Sequence, residues 1–124
     1  YKKKGQSNAA KAVVGEVVQG VPGCTGQYVG RARVILDPTE PGDLEPGDVL
    51  IAPNTDPAWT PLFMSCGAVV VNVGAAISHA IIVSRELGLP CVVSATDATV
   101  RIPNGALIEV NGDTGAVTIL EVPA

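Results

Sequence analysis

The sequence predicts an α/β domain, and three observations lead to that prediction. The chain has 124 residues, the size of one compact domain, and 47% of them are hydrophobic, enough for a packed core. Short Val-rich runs bounded by glycine and proline are typical of strands. In the middle of the chain the pattern predicts strand–helix–strand–helix–strand, with β segments on both sides. The domain is expected to span residues 12–124, with residues 1–11 a linker or an expression remnant.

The first third of the chain predicts two strands, a turn and a loop. Residues 12–18 are rich in valine, and residues 28–36 alternate large and small side chains, so both are expected to be strands. Glycine and proline at residues 20–23 and at Gly26 predict turns. An acidic, proline-rich stretch follows, and a solvated loop is favoured over a metal site because its carboxylates lack tight ligand spacing. Its acidic residues are Asp37, Glu40, Asp43, Glu45 and Asp48.

The central segments predict two helices between buried strands. Asp56 as N-cap and Pro57 at the first helical position start a helix expected to end near Cys66. A second helix, residues 78–87, ends at Gly88 with Pro90 just beyond. Residues 68–73, AVVVNV, form an apolar run broken only by Asn72, as expected of a strand buried on both faces. The other predicted strands are residues 48–52, 91–94, 107–110 and 116–120.

Composition excludes several classes of function. Aromatic residues make up 3% of the chain and the net charge is −4, which argues against nucleic-acid binding. No apolar run is long enough to cross a bilayer, and the lysine-rich start is not a signal peptide, so a cytoplasmic protein without a membrane partner is expected. Cys24, Cys66 and Cys91 are too widely spaced to predict zinc or a disulfide framework, and reduced thiols are expected.

His79 is the one histidine in the chain, and it falls in the first turn of the second predicted helix. Backbone N–H groups and the positive end of the helix dipole meet there, so the position suits a phosphate group. The same dipole favours neutral, nucleophilic imidazole. From position alone, however, a cap or a core-edge residue is the more common role of such a histidine.

On the helical wheel of this second helix, Ala80, Val83 and Leu87 are expected to face the sheet, while Ile81 and Ile82 point elsewhere. A further layer covering the helix is favoured over an apolar docking surface.

Several motifs resemble one family. The segment GAAISHAIIVSRELGLPCVV, residues 74–93, resembles the phosphohistidine signature of the PEP-utilising enzyme mobile domain. This domain occurs in phosphoenolpyruvate synthase, pyruvate phosphate dikinase, Enzyme I and rifampin phosphotransferase. Residues 55–63, TDPAWTPLF, resemble an element of the phosphoenolpyruvate synthase and rifampin phosphotransferase branches. Three further segments also resemble the pattern of this family: Gly30-Arg-Ala-Arg33, GDVLIA at residues 47–52 and NGDTGAV at residues 111–117.

The resemblance implies a three-layer β/β/α swivelling domain of the phosphohistidine type. His79 would accept a phosphoryl group from ATP bound at a separate nucleotide-binding domain and deliver it to pyruvate, as in a pyruvate, water dikinase. Rifampin phosphotransferase-type transfer to an antibiotic hydroxyl is one alternative, and a non-catalytic docking or regulatory module is another. The domain is not expected to turn over alone. It would hold no cofactor or metal itself, since Mg²⁺ and ATP belong to partner domains. The acceptor, the direction of reaction and the phosphorylated nitrogen stay open.

Other residues receive secondary roles. Ser78 is expected to cap the helix and is a candidate to donate a hydrogen bond to the phosphoryl group as well. Thr55, Asp56 and Trp59 are expected to build and pack a turn rather than to act at a domain interface. Arg85 and Glu86 are expected to form an exposed pair or a docking contact. Arg31 and Arg33 are expected to face solvent, and Cys91 is expected in the core.

The chain also departs from the family pattern at three places before the histidine. Ala75-Ala76 stand where paired glycines are common, Ile77 replaces a regulatory threonine, and Asn72 stands where an acidic residue is frequent. These differences disfavour a typical pyruvate phosphate dikinase or Enzyme I.

Overall fold

The computed structural model describes residues 14–37, 39, 44–53, 55, 57–72, 79–95 and 97–122. These residues form eight strands, three α-helices and a short 3₁₀ turn. The strands are β1 (Val17–Gln19), β2 (Val21–Cys24), β3 (Gln27–Val34), β4 (Val49–Ala52), β5 (Ala68–Val71), β6 (Cys91–Val93), β7 (Leu107–Asn111) and β8 (Ala116–Glu121). The helices are α1 (Thr60–Phe63), preceded by the 3₁₀ turn Pro57–Trp59, then α2 (His79–Leu87) and α3 (Ala98–Arg101).

The strands are hydrogen-bonded in the order β1-β8-β7-β3-β4-β5-β6-β2. The pairs from β1 to β3 in this order are antiparallel, and the pairs β3–β4, β4–β5 and β5–β6 are parallel. The last pair, β6–β2, is antiparallel. The edge strands β1 and β2 lie at opposite ends of this order, yet Gly20 alone separates them in the chain. The sheet must therefore fold over so that its two ends meet at Gly20.

Alternate residues of the central strands enter two separate apolar cores. Val49 and Ile51 of β4 pack in a core shared with both halves of the sheet, including Val18, Ile108 and Ile119. Leu50 of β4 and its same-face neighbours on β5 and β6 pack with residues of α1 and α2. Two β layers and one helical layer result, which confirms the β/β/α class. The strand over residues 68–71 is buried on both faces, as its apolar run predicts.

The turn predicted over residues 20–23 is wrong, because Val21–Cys24 is the edge strand β2, paired antiparallel with β6. Its glycine and proline residues resemble turn chemistry. An edge strand nevertheless tolerates proline, since one side of its backbone needs no partner. The first predicted strand is also displaced. Residues 14 and 15 form a turn, and the strand follows at Val17–Gln19.

Two helical predictions also need correction. The helix expected from Pro57 to Cys66 is a 3₁₀ turn followed by the four-residue α1, and the N-cap predicted at Asp56 lies outside the described residues. Helix α3 was not predicted, because its four residues are too few to show a helical period. Asp97, which precedes it, provides no side-chain cap and has left-handed backbone geometry, with φ of 60°. The amide N–H of Thr99 instead donates to Asn72 Oδ1 at 3.0 Å, a contact across 27 residues.

Arg33 and Asp48 are not solvated as expected. Arg33 Nε donates to Asp48 Oδ2 at 2.8 Å, and the backbone N–H of Glu45 donates to the same oxygen at 2.9 Å. Asp48 is buried and ties β3 to the start of β4. Arg31, two residues earlier on β3, is exposed as predicted and lies 3.6 Å from the exposed Glu121.

Candidate functional site

His79 is the first residue of α2, and threonine hydroxyls contact both of its ring nitrogens. Thr55 Oγ1 lies 3.0 Å from Nδ1, and Thr60 Oγ1 lies 3.2 Å from Nε2. Both contacts are partly buried. A neutral imidazole has one donor and one acceptor nitrogen, and a hydroxyl can fill either role, so the pair accommodates either tautomer. Contacts at both ring nitrogens fix the orientation of the ring.

The third contact of the imidazole is aromatic. Phe63 meets His79 edge to face, with ring centroids 5.6 Å apart and an interplanar angle of 71°. Phe63 and Trp59 are buried in the core between the sheet and the helices, which anchors the segment that carries both threonines. Thr55, Thr60 and Phe63 therefore form one wall of the histidine site.

This geometry changes the role of Thr55 and adds Thr60 to the site. Sequence reasoning assigned Thr55 to a turn and gave Thr60 no role at all. Trp59 does pack the segment, as expected, and is 3% exposed. The available signal was the TDPAWTPLF motif itself, whose two threonines flank the proline-rich helix start. The sequence does not show that this segment packs against a helix that begins nineteen residues after Thr60.

The buried face of α2 differs from the helical-wheel prediction. Ala80, Ile81 and Ser84 are buried, whereas Val83 is half-buried and Leu87 is exposed. The wheel was ambiguous because apolar residues surround most of this helix. In the described part of the chain no layer covers Ile82, which is 49% exposed, so the expected covering layer is wrong there.

Residues 73–78 lie outside the described residues. The proposed cap at Ser78, the Ala75-Ala76 pair and Ile77 therefore have no structural account here. Asn72, the last described residue before them, holds Thr99 through both amide atoms, with Nδ2 donating to Oγ1 at 2.8 Å and Oδ1 accepting from the backbone N–H. This departure from the family pattern thus joins the end of β5 to α3.

The remaining polar candidates lie away from the histidine contacts. Arg85 and Glu86 are exposed on α2, as expected. Cys91 is buried, also as expected, and burial raises the pKa of its thiol to about 11. Burial likewise raises the pKa of Cys66 to about 12. Among the described residues, no three His, Cys, Asp or Glu side chains are grouped in a way that could hold a metal ion. None of the described helices is long and apolar enough to span a membrane.

The fold and the site define a class, a β/β/α domain that presents a histidine at the first residue of the helix packed on its sheet. The chain belongs to the family described as PEP-utilising enzyme, mobile domain, and the match covers residues 44–115. That range contains His79, both threonines and Phe63. The family assigned by resemblance is therefore confirmed.

Curated relatives are similar over most of this chain but are much longer than it. A rifampicin phosphotransferase of Streptomyces sviceus is 48% identical over 101 residues, which cover 82% of this chain and 12% of that protein. A rifampicin phosphotransferase of Bacillus subtilis is 44% identical, with the same two coverages. An uncharacterised protein of Mycobacterium tuberculosis is 43% identical over 94% of this chain and 14% of its own length. The chain thus spans about an eighth of these relatives.

Solved structures support the fold. An Enzyme I solution structure matches with a TM-score of 0.54 and 32% identity, covering 62% of this chain and 32% of that one. Aconitase X of Thermococcus kodakaraensis matches with a TM-score of 0.65 at 18% identity, covering 86% of this chain and all of that one. The second likeness concerns the fold alone.

Proposed function

We propose that this chain is the phosphocarrier domain of a multidomain phosphotransferase and that His79 carries the phosphoryl group. The observation on which the proposal rests is the placement of His79 at the start of α2, with a threonine hydroxyl on each ring nitrogen. Membership in the PEP-utilising family and the names of the rifampicin phosphotransferase relatives support the same chemistry.

The chemistry follows from the position of the imidazole. A neutral ring nitrogen attacks the donor phosphorus, so that an N–P bond forms as the donor P–O bond breaks. The positive end of the α2 dipole stabilises the negative charge of the phosphoryl group beside it. In the second step an acceptor oxygen attacks the same phosphorus, and the N–P bond breaks to regenerate the imidazole.

Donor and acceptor sites are proposed to lie in partner domains. One histidine reaches two separate active sites only if the domain moves between them, and this domain accounts for about an eighth of its relatives' length. ATP and Mg²⁺ would bind at a nucleotide-binding domain of a cytoplasmic parent protein. Two acceptors remain. Pyruvate fits the resemblance to phosphoenolpyruvate synthase, and a rifamycin hydroxyl is favoured by the relatives named rifampicin phosphotransferase.

The test labels the parent protein with ATP or phosphoenolpyruvate carrying labelled phosphate. We expect acid-labile, base-stable label in the wild type and in Glu86→Gln, an exposed change on the same helix, and a loss of about 100-fold or more in His79→Ala. Circular dichroism and thermal unfolding check that His79→Ala is folded. Adding pyruvate or a rifamycin to the labelled protein then identifies the acceptor as the compound that removes the label.

Equal labelling of wild type and His79→Ala would reject the carrier proposal. That result would favour the non-catalytic docking or regulatory module. A collapsed thermal transition in His79→Ala would instead assign the histidine a structural role, because a half-buried residue at a helix start should be replaceable without unfolding.

A further inference from the structure

Two cysteines face each other across neighbouring strands on the helical side of the sheet. Cys24 at the end of β2 and Cys91 at the start of β6 are register partners in the antiparallel pair. In a regular antiparallel pair, directly opposed residues have Cα atoms about 4.5–5.5 Å apart, and disulfides span Cα separations of about 4.4–6.8 Å. All three cysteines of the chain are free thiols in this structure.

The two side chains also share one face of the sheet. Cys91 belongs to the core between the sheet and the helices, and Cys24 packs against that same core. The register shifts between Pro22 and Cys24, so Gly23 and Cys24 together oppose Cys91. A Cβ on Gly23 would lie 3.3 Å from Cys91 Sγ, which shows that this part of β2 lies directly over the thiol.

We propose that Cys24 and Cys91 form a reversible disulfide and that disulfide oxidants such as oxidised glutathione produce it. Cys24 is half-buried and is the thiol that an external oxidant reaches. Cys91 is fully buried and acts as the resolving thiol. The site is separate from the histidine and does not depend on the role proposed for it.

The reaction proceeds in two exchanges. The Cys24 thiolate attacks one sulfur of oxidised glutathione, which forms a mixed disulfide and releases one glutathione thiolate. The Cys91 thiol then attacks Cys24 Sγ as its proton passes to the departing glutathione sulfur. The protein disulfide forms and the second glutathione leaves. Two protein thiols are oxidised and one glutathione disulfide is reduced to two thiols.

Cys66 is the competing partner, and its surroundings disfavour it. Its thiol is buried and donates to the carbonyl oxygen of Phe63, with Sγ and O 3.4 Å apart. It precedes β5, where Val69 rather than Cys66 lies opposite Cys91. Cys66 therefore provides a matched control in the same core.

The disulfide would attach the edge strand β2 to β6 beneath α2. Ile81 and Ser84 of α2 belong to the buried face of that helix, and a Cβ on Gly23 would lie 3.1 Å from Ile81 Cγ1. The bond would also close a long loop, from residue 24 to residue 91, and so restrict the unfolded chain. We expect oxidation to raise the Tm by about 5 °C or more.

Trypsin separates the three cysteines, because its cleavage sites place Cys24 in residues 12–31, Cys66 in residues 34–85 and Cys91 in residues 86–101. The chain is incubated with oxidised glutathione near pH 8.5, digested without reductant and analysed by mass spectrometry. Wild type and Cys66→Ala should both yield the peptides 12–31 and 86–101 joined, with two hydrogen masses lost. Cys24→Ser and Cys91→Ala should yield no joined peptides, and dithiothreitol should separate the pair.

Three results would overturn the proposal. One is a stable glutathione adduct on Cys24 that never joins residues 86–101. Another is a link to the peptide that contains Cys66. The third is a link that forms only after the chain is denatured. Each of these is read from the wild-type chain, so none depends on the variants folding.

Discussion

At the scale of single residues, the orientation of His79 depends on side chains far from it in sequence. Thr55 and Thr60 contact different ring nitrogens, and Phe63 packs against the ring in a T-shaped arrangement. The sequence indicates His79 as the candidate phosphocarrier, because a histidine at a helix start within a specific motif is a strong local signal. It could not identify Thr60, since nothing in the residue type distinguishes a threonine that contacts a ring from one that faces solvent.

Replacing each threonine by valine tests whether the hydroxyls position the ring. Valine keeps the shape of threonine and removes one hydrogen bond, so Thr55→Val and Thr60→Val should each cost about 1 kcal/mol of stability. We expect either change to slow phosphorylation of His79 in the parent protein by about tenfold, because the nucleophile loses part of its alignment. Labelling time courses measure the rates, and thermal unfolding measures the stabilities.

The two valine variants should also differ in how much they slow phosphorylation of His79. The hydroxyl at the nitrogen that takes the phosphoryl group must move aside, whereas the other hydroxyl continues to hold the ring. ³¹P NMR identifies the phosphorylated nitrogen. We expect it to be the nitrogen that does not contact the threonine whose replacement slows phosphorylation more, so a slower Thr55→Val predicts Nε2 and a slower Thr60→Val predicts Nδ1. Thr118→Val on β8, outside the site, serves as the control. Labelling at the wild-type rate in both variants would show that the hydroxyls do not position the imidazole.

At the scale of elements, α2 shows where periodicity stops being informative. Its apolar residues occur on nearly every side, so the helical wheel does not select one face. Packing on β5 and β6 selects Ala80, Ile81 and Ser84. The central strands were predictable for the opposite reason, since a continuous apolar run admits one simple placement, buried on both faces.

Adjacent isoleucines on α2 test the buried face. Ile81 is 4% exposed and Ile82 is 49% exposed, so the two positions compare the same chemical change in different surroundings. We expect Ile81→Ala to lower the free energy of unfolding by about 2–4 kcal/mol and Ile82→Ala to lower it by less than about 1 kcal/mol. Chemical denaturation measures both. Similar losses, or a larger loss at Ile82, would show that α2 is rotated relative to this structure.

At the scale of the whole molecule, closure depends on the single residue between β1 and β2. Gly20 donates its backbone N–H to the Gly115 carbonyl oxygen at 2.7 Å, while the strands on either side of it pair with β8 and β6. A Cβ on Gly20 would lie 2.5 Å from Val92 Cγ1 and 2.7 Å from the Val93 carbonyl oxygen. Glycine is needed here because the backbone passes too close to β6 for any side chain.

Gly20→Ala should therefore destabilise the chain by about 2–3 kcal/mol, since a methyl group at this point pushes β1 and β2 away from their partners. Gly88→Ala provides the comparison. Gly88 has open space around it but a φ of +76°, so alanine there should cost about 1 kcal/mol through backbone strain alone. Equilibrium unfolding of the two variants compares them. A smaller loss at Gly20 than at Gly88 would contradict the close approach.

The sequence by itself determined the α/β class, the central strands, the family and the candidate histidine. The central strands and the histidine follow from patterns within a few neighbouring residues, which local physical rules and motifs can recognise. The class and the family follow from the order of such patterns along the chain. The tertiary structure decided that residues 21–24 form an edge strand, that Ile81 rather than Leu87 faces the sheet, and that Thr55 and Thr60 meet at His79. These features depend on which distant segments pack together, and a contact between side chains nineteen or twenty-four residues apart leaves no period in the sequence.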